Sequence, residues 1–269
     1  MRALLALLLV AGVAAYVAYG WGGEEGLRVR VDRATEAGDV VAVEELLAAH
    51  RFDVIYLVDD DLEAWLKQME LPELERAPDA EGLLARALAT AKTADKTFGG
   101  DAYSKYAEAW AAWSVEQRMQ FRDGQAKFGA GREAQKEKRY DAAAESYRAS
   151  LALAEPLGDA WGTAQAEQAL GDLAVGAGRF DEAKQRHARA RDIWRTLSHP
   201  RVLRSLHALG VVYEEQGELA EARASLEEML TLAEQLGGKT DTAAVRSSLS
   251  RICRALGDEA AAAGYASEP

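Results

Sequence analysis

The 269-residue sequence contains no asparagine, only five prolines and a single cysteine, Cys253. A lone cysteine cannot form an internal disulfide, and its place on a predicted inward-packing helix face favours a buried, unreactive thiol. Scarce proline and short runs of β-branched residues argue against a fold built from strands and turns. Ala, Leu, Glu and Arg dominate instead, which is typical of helices. We therefore predict an all-α protein.

The chain also lacks an excess of positive charge, since its net charge is −12 at pH 7. Nucleic-acid binding requires a positive surface that neutralises phosphates, so we do not expect a nucleic-acid partner. Acidic and basic residues are interspersed along the second half of the chain, as is typical of solvated helix surfaces.

A pattern recurs with a period of about forty residues in the second half of the chain. It places a small residue at Gly131, Gly171, Gly210 and, in a more divergent fourth copy, Ser250. A fixed period of this size predicts stacked helical hairpins.

Each copy has further recurring positions after this first small residue. A glycine inside a helix lets a second helix approach closely, so we expect the small alanines of the second helices to lie opposite it. A turn glycine then ends the first helix in a left-handed conformation, although the first copy has Lys138 there. The turn glycines are Gly178, Gly217 and Gly257, and the alanines are Ala143, Ala183, Ala222 and Ala262.

These positions, over roughly residues 125–257, resemble the tetratricopeptide repeat family, and the long period is similar to its subgroup found in kinesin light chains and bacterial regulators. The resemblance implies antiparallel helical hairpins stacked as a right-handed solenoid, whose first helices line a concave groove that binds a protein or peptide. One subgroup holds chaperone C-termini through asparagine and lysine side chains, and without asparagine that activity is not implied. The groove positions carried over are Phe128, Arg132, Gln135, Gln168, Asp172, Arg204, His207, Glu214, Arg251 and Arg254.

Residues 3–23 carry no charge and follow Arg2. This stretch is long enough to span a bilayer and exceeds the usual apolar region of a signal peptide. We therefore favour an N-terminal apolar helix that anchors the protein in the cytoplasmic membrane, with its body on the exported side. The alternatives are a cleaved signal peptide that releases a secreted body, and a reversed topology with cytoplasmic repeats.

Residues 24–113 are predicted to be helical, and we expect degenerate hairpins that continue the stack; a separate small domain is the alternative. Ser114 and Gln117 match a capping box, which places a helix start there. The sequence thus divides into residues 1–23, 24–113 and 114–269, the last being the repeat domain.

The apolar run at residues 54–58 is followed by Asp59, Asp60 and Asp61. A strand ending in paired carboxylates is how Mg²⁺-binding receiver domains begin, but no second strand-like run follows. We predict instead that the three aspartates cap the start of a helix. The alternative is a regulatory or metal-dependent activity in residues 24–113, with the repeats as a partner-binding appendage.

Motifs for catalysis are also missing. None of the four histidines has metal-ligand spacing to another ligand, and no phosphate-binding loop or nucleophile elbow is present. His187 falls at a position that the resemblance makes a buried core site. We therefore expect a non-catalytic scaffold that needs no cofactor, metal or small-molecule substrate.

Overall fold

The computed structural model describes residues 26–236 and 242–267. Within these ranges every regular element is a helix, which confirms the all-α prediction. The predicted apolar N-terminal helix at residues 3–23 lies outside the described residues. Among the helices that are described, none is both long enough and apolar enough to cross a membrane.

The chain has two compact units, with the boundary between Ser104 and Lys105. A short 3-10 turn, Glu73–Glu75, connects the third and fourth helices. The helices in these ranges are α1 (Leu27–Glu36), α2 (Val40–Ala49), α3 (Val54–Met69), α4 (Ala80–Phe98), α5 (Ala102–Ala112), α6 (Val115–Lys136), α7 (Tyr140–Leu157), α8 (Ala160–Gly176), α9 (Phe180–Thr196), α10 (Val202–Glu215), α11 (Leu219–Gln235), α12 (Ala243–Ala255) and α13 (Glu259–Ser267).

In the first unit, α1 packs on α2, and α4 packs on both α2 and α3. The apolar run at residues 54–58 forms the first turns of α3, and its Val54, Ile55 and Val58 are fully buried. This resolves the ambiguity between strand and helix, because the run continues in helical register to the buried Leu62 and Leu66. That residues 24–113 are degenerate hairpins of the same stack stays a prediction.

The prediction that Asp59, Asp60 and Asp61 cap the start of a helix is wrong. Because α3 begins at Val54, the three aspartates lie inside the helix, and Asp61 falls on its buried face. Its carboxylate accepts hydrogen bonds from Arg28 Nη1 at 2.8 Å and from Arg86 Nη2 at 2.6 Å. A buried carboxylate requires such partners, so Asp61 joins α1, α3 and α4.

A second acidic side chain of the first unit caps a helix from a distance. Asp95, on α4, is buried and accepts hydrogen bonds from the backbone amides of Tyr103 at 3.0 Å and Ser104 at 2.8 Å. These amides lie in the first turn of α5 and have no acceptor within their own helix. Asp95 therefore stabilises the start of α5.

The second unit consists of stacked helical pairs. The pairs are α6 with α7, α8 with α9, α10 with α11, and α12 with α13, and each pair also packs on the next. We call these pairs repeats 1 to 4 and their members the first and second helices. The predicted capping box at the start of α6 is confirmed, since Ser114 and Gln117 exchange both of its hydrogen bonds.

Aromatic residues pack on the start of repeat 1. Trp110 contacts the rings of Trp113 and Phe121 at centroid distances of 4.8 and 4.6 Å. Trp113 Nε1 also donates to the carbonyl oxygen of Leu157 at 2.9 Å, at the end of α7. The last turns of α5 therefore belong to the core of the second unit.

The turns within the repeats have the predicted left-handed conformation. Gly178, Gly217 and Gly257 have φ angles of 70°, 76° and 80°. Lys138 has the same conformation in repeat 1, with φ at 60°. A lysine adopts it at a cost, because its Cβ is crowded there.

In repeats 1 to 3 the glycine of the first helix makes room for a large side chain of the second helix. In repeat 4 the small residue lies against the predicted alanine, since Ser250 Oγ donates to the carbonyl oxygen of Ala262 at 2.8 Å. A Cβ at Gly131 would lie 2.6 Å from the ring of Tyr147, and a Cβ at Gly171 would lie 2.7 Å from His187 Nε2. A Cβ at Gly210 would lie 2.5 Å from Leu226. In repeats 1 to 3 the side chain that fills the space beside the glycine lies one helical turn beyond the predicted alanine, which is itself buried.

Candidate partner-binding surface

The predicted groove residues lie along the first helices, and most of them are accessible. We call the outward side of α6, α8, α10 and α12 the first-helix face. Arg132, Arg204, His207, Arg251 and Arg254 are exposed on it. Phe128, Gln135, Asp172 and Glu214 are partly exposed.

Gln168 is the exception, because its residue exposure is only 3 %. Its Nε2 donates to Ser205 Oγ at 3.0 Å and more weakly to the carbonyl oxygen of Arg201 at 3.4 Å. Both acceptors belong to repeat 3, so Gln168 joins two repeats and is not free to contact a partner. Its prediction as an accessible groove residue is therefore wrong.

Two ion pairs join consecutive first helices on this face. Arg204 Nη2, on α10, donates to Asp172 Oδ2, on α8, at 2.5 Å. Arg251, on α12, makes a bidentate pair with Glu214, on α10, at 2.7 and 3.0 Å. Both arginine side chains remain more than half exposed, so each pair contributes at most about 1 kcal/mol to stability. The pairs therefore orient the arginines more than they stabilise the fold.

Side chains of the second helices reach this face through the spaces left by the missing Cβ atoms of the first-helix glycines, which we call glycine gaps. Tyr147 passes Gly131, and its hydroxyl donates to Gln135 Oε1 at 2.7 Å. Burial raises the pKa of the Tyr147 phenol, and the charges of Arg132 and Asp172 act on it in opposite directions. Tyr147 therefore belongs to the floor of the first-helix face.

His187 occupies the equivalent position in repeat 2 and is fully buried, as predicted. Its Nε2 lies 3.7 Å from Asp172 Oδ1, which is beyond hydrogen-bond distance. Burial, followed by the charge of Arg204, lowers the pKa of His187 to about 4. Burial also raises the pKa of Asp172, an effect that Arg204 opposes. At neutral pH the histidine is therefore an uncharged packing residue.

Tyr147 and His187 were missed as parts of this face because they lie on second helices. The signal that reveals them is a large residue sixteen positions after the recurring glycine of the first helix, Gly131 or Gly171. The same spacing leads from Gly210 to Leu226.

Metal binding has no support in the parts of the chain that the structure describes. No group of three or more His, Cys, Asp or Glu side chains there is arranged to hold a metal ion. Cys253 is buried, as predicted, and burial raises the pKa of its thiol. A raised pKa makes the thiolate scarce and the side chain unreactive.

Stacked helical pairs with this period define a helical-repeat protein. A family model described as tetratricopeptide repeat matches residues 162–235 and 201–268, which cover repeats 2 to 4. Repeats 2 to 4 therefore match the tetratricopeptide repeat family, in agreement with the resemblance seen in the sequence. Repeat 1 has the same geometry, with its glycine gap and left-handed turn.

A solved structure is similar to this protein over most of the chain, at low sequence identity. The crystal structure of BtubC (BKLC) from P. vanneervenii is similar over 90% of this chain and 89% of that one, with 18% sequence identity and a TM-score of 0.45. The search of the curated proteins found no match.

Proposed function

We propose that this protein is a non-catalytic scaffold that holds a segment of another protein on its first-helix face. Tetratricopeptide repeats are typical of protein-interaction scaffolds, and the fold alone does not identify the partner. The observation that supports the proposal is the continuity of this face from repeat to repeat. Gln168 with Ser205, Arg204 with Asp172, and Arg251 with Glu214 each join neighbouring first helices.

Two arginine side chains on this face are available to bind a partner. Arg132 and Arg254 are exposed, and neither has an ion-pair partner among residues 26–236 and 242–267. Arginine and aromatic side chains contribute strongly to many interfaces, and partly exposed Phe128 lies one helical turn before Arg132. A docked segment would contact this aromatic and these guanidinium groups.

We further propose that residues 3–23 anchor the scaffold in the cytoplasmic membrane with the repeats on the exported side. The proposal rests on the length and lack of charge of this stretch and on Arg2 before it. A topology reporter fused after Pro269 tests it. If a reporter that functions only in the cytoplasm is active in this fusion, the repeats are not exported and the proposal is contradicted.

Partner binding is tested by exchanging Arg204 and Arg251 together for glutamate and measuring co-purification of captured protein. We expect capture to be lost while the far-UV circular dichroism stays unchanged, because surface pairs contribute little to stability. The matched control is Arg195→Glu, which removes the ion pair between Arg195 and Glu228 on neighbouring second helices. Equal loss in the control, or unchanged capture in the double variant, would contradict docking on the first-helix face.

The partner itself is identified by in-cell photo-crosslinking from Phe128. The control position is Gln185, which is exposed on the second helix of repeat 2. A protein captured from Phe128 but not from Gln185 is the expected result. The same proteins from both positions would mean that capture does not depend on the first-helix face.

A further inference from the structure

The turn between α3 and α4 presents an apolar side chain to solvent. Leu74 is fully exposed, and nearby Leu71 is more than one-third exposed. Glu73 and Glu75 flank Leu74, and both are exposed as well. A leucine at the tip of a turn, between two carboxylates, loses contact with water only if another surface covers it.

This turn is braced, so Leu74 has a defined position. The backbone amide of Glu75 donates to the carbonyl oxygen of Pro72 at 2.8 Å, and Arg76 Nε donates to the carbonyl oxygen of Leu71 at 3.2 Å. Gln68 Oε1 accepts from the backbone amide of Ala77 at 2.8 Å. A turn held in this way loses little conformational entropy when it docks.

We propose that this turn docks on the α6 part of the first-helix face of a second copy of the chain. Leu74 would pack on Phe128, and Glu73 and Glu75 would pair with Arg132. The inference rests on the proposed function, because it makes the chain's own turn one occupant of that face.

The chemistry of the two surfaces supports this choice. Phe128 is partly exposed, its ring is 5.2 Å from that of Tyr147, and Arg132 follows on the same side of α6. An apolar ring beside a cation complements a leucine beside carboxylates. Arg132 is available to them because it has no ion-pair partner among the described residues, whereas Arg204 and Arg251 are already paired. The contact is small, so we expect weak association that weakens further at high salt.

The test is photo-crosslinking from position 74 in a mixture of ¹⁴N- and ¹⁵N-labelled copies of the full chain. We expect a product of twice the chain mass, in which the probe of one isotopic copy is joined to residues 115–136 of the other. The control places the probe at Leu256, which is an exposed leucine outside this turn. Equal yield from both positions, or products only within single copies, would overturn the proposal.

Charge exchange makes the test specific. Glu73→Lys with Glu75→Lys should lower the yield about tenfold or more, and Arg132→Glu should do the same. Mixing the two variants should restore crosslinking, because each turn then meets an opposite charge on the other copy: the native glutamates meet Arg132 of the turn variant, and the introduced lysines meet the introduced glutamate. Failure to restore it would overturn the proposed pairing. Partner capture from Phe128 is measured separately, so retained capture with no self-association would reject this inference and leave the proposed function standing.

Discussion

Replacing Gly131 by alanine tests the packing inside repeat 1. The added Cβ would lie 2.6 Å from two carbons of the Tyr147 ring, which is far inside van der Waals contact. The ring is fully buried, and the bond from its hydroxyl to Gln135 restricts its movement. The substitution therefore forces α6 and α7 apart or pushes the ring from its preferred rotamer.

Two opposing effects set the size of the change. Overpacking a buried site typically costs about 1–3 kcal/mol of unfolding free energy. Replacing glycine by alanine within a helix returns about 1 kcal/mol. We expect Gly131→Ala to lose between about 0 and 2 kcal/mol.

Gly129 provides a matched control in the same helix. A Cβ there meets no atom within 4 Å, so Gly129→Ala should gain up to about 1 kcal/mol. Because the gain in helix propensity is common to both variants, their difference of about 1–3 kcal/mol isolates the contact with Tyr147. Urea unfolding followed by far-UV circular dichroism measures it.

A double variant completes the test. In a Tyr147→Ala background the gap opposite Gly131 is empty, so the two alanine variants should then have equal stability. If Gly131→Ala is as stable as Gly129→Ala in the wild-type background, the glycine gap does not determine how the hairpin packs.

Three further predictions concern buried titratable groups. His187 and His199 are buried with pKa values lowered to about 4 and about 3, so below pH 6.5 the unfolded state binds protons that the folded state does not. Stability should fall from pH 7.5 to pH 5 by about 2 kcal/mol for each histidine, and urea unfolding of His187→Leu should show a smaller fall. Asp95→Ala should cost about 1–2 kcal/mol and speed hydrogen exchange of the Tyr103 amide, whereas unchanged exchange would contradict the capping role. Asp61→Asn should lower the free energy of unfolding by about 1–3 kcal/mol, a range that is reduced because the partner arginines are partly exposed to solvent. The melting temperature should therefore fall, and an unchanged melting temperature would contradict the role of Asp61 as a buried ion-pair partner.

The repeat array was predictable because its signals are local and recur. A glycine at a helix end or within a helix has the same consequence in every copy, so the spacing of Gly171 and Gly210 was enough to predict stacked helical hairpins. The first copy departs from the glycine pattern at Lys138, and only the structure shows that this lysine adopts the conformation of the glycines that it replaces.

The predictions for Gln168 and Asp61 were wrong because they depend on contacts between parts of the chain that are distant in sequence. Gln168 shares its helix register with Phe128 and His207, but only Gln168 is covered, because Ser205 of the next repeat lies within hydrogen-bond distance. Register gives the side of a helix on which a residue lies, not what packs above it. Asp61 was misplaced for a similar reason, since its arginine partners come from helices 33 and 25 residues away in the chain.

The size of the space beside the small residue of each first helix matches the residue of the second helix that faces it. This match limits which helices can be exchanged between repeats. Gly131 accommodates Tyr147 and Gly171 accommodates His187, whereas Ser250, which has a Cβ of its own, faces the small Ala262 and donates to its carbonyl oxygen at 2.8 Å. The compatible sizes lie within one hairpin and not across the boundary to the next. Whole hairpins are therefore the units that can be shuffled, whereas a chimera that joined the first helix of repeat 4 to the second helix of repeat 2 would place the serine against the imidazole ring.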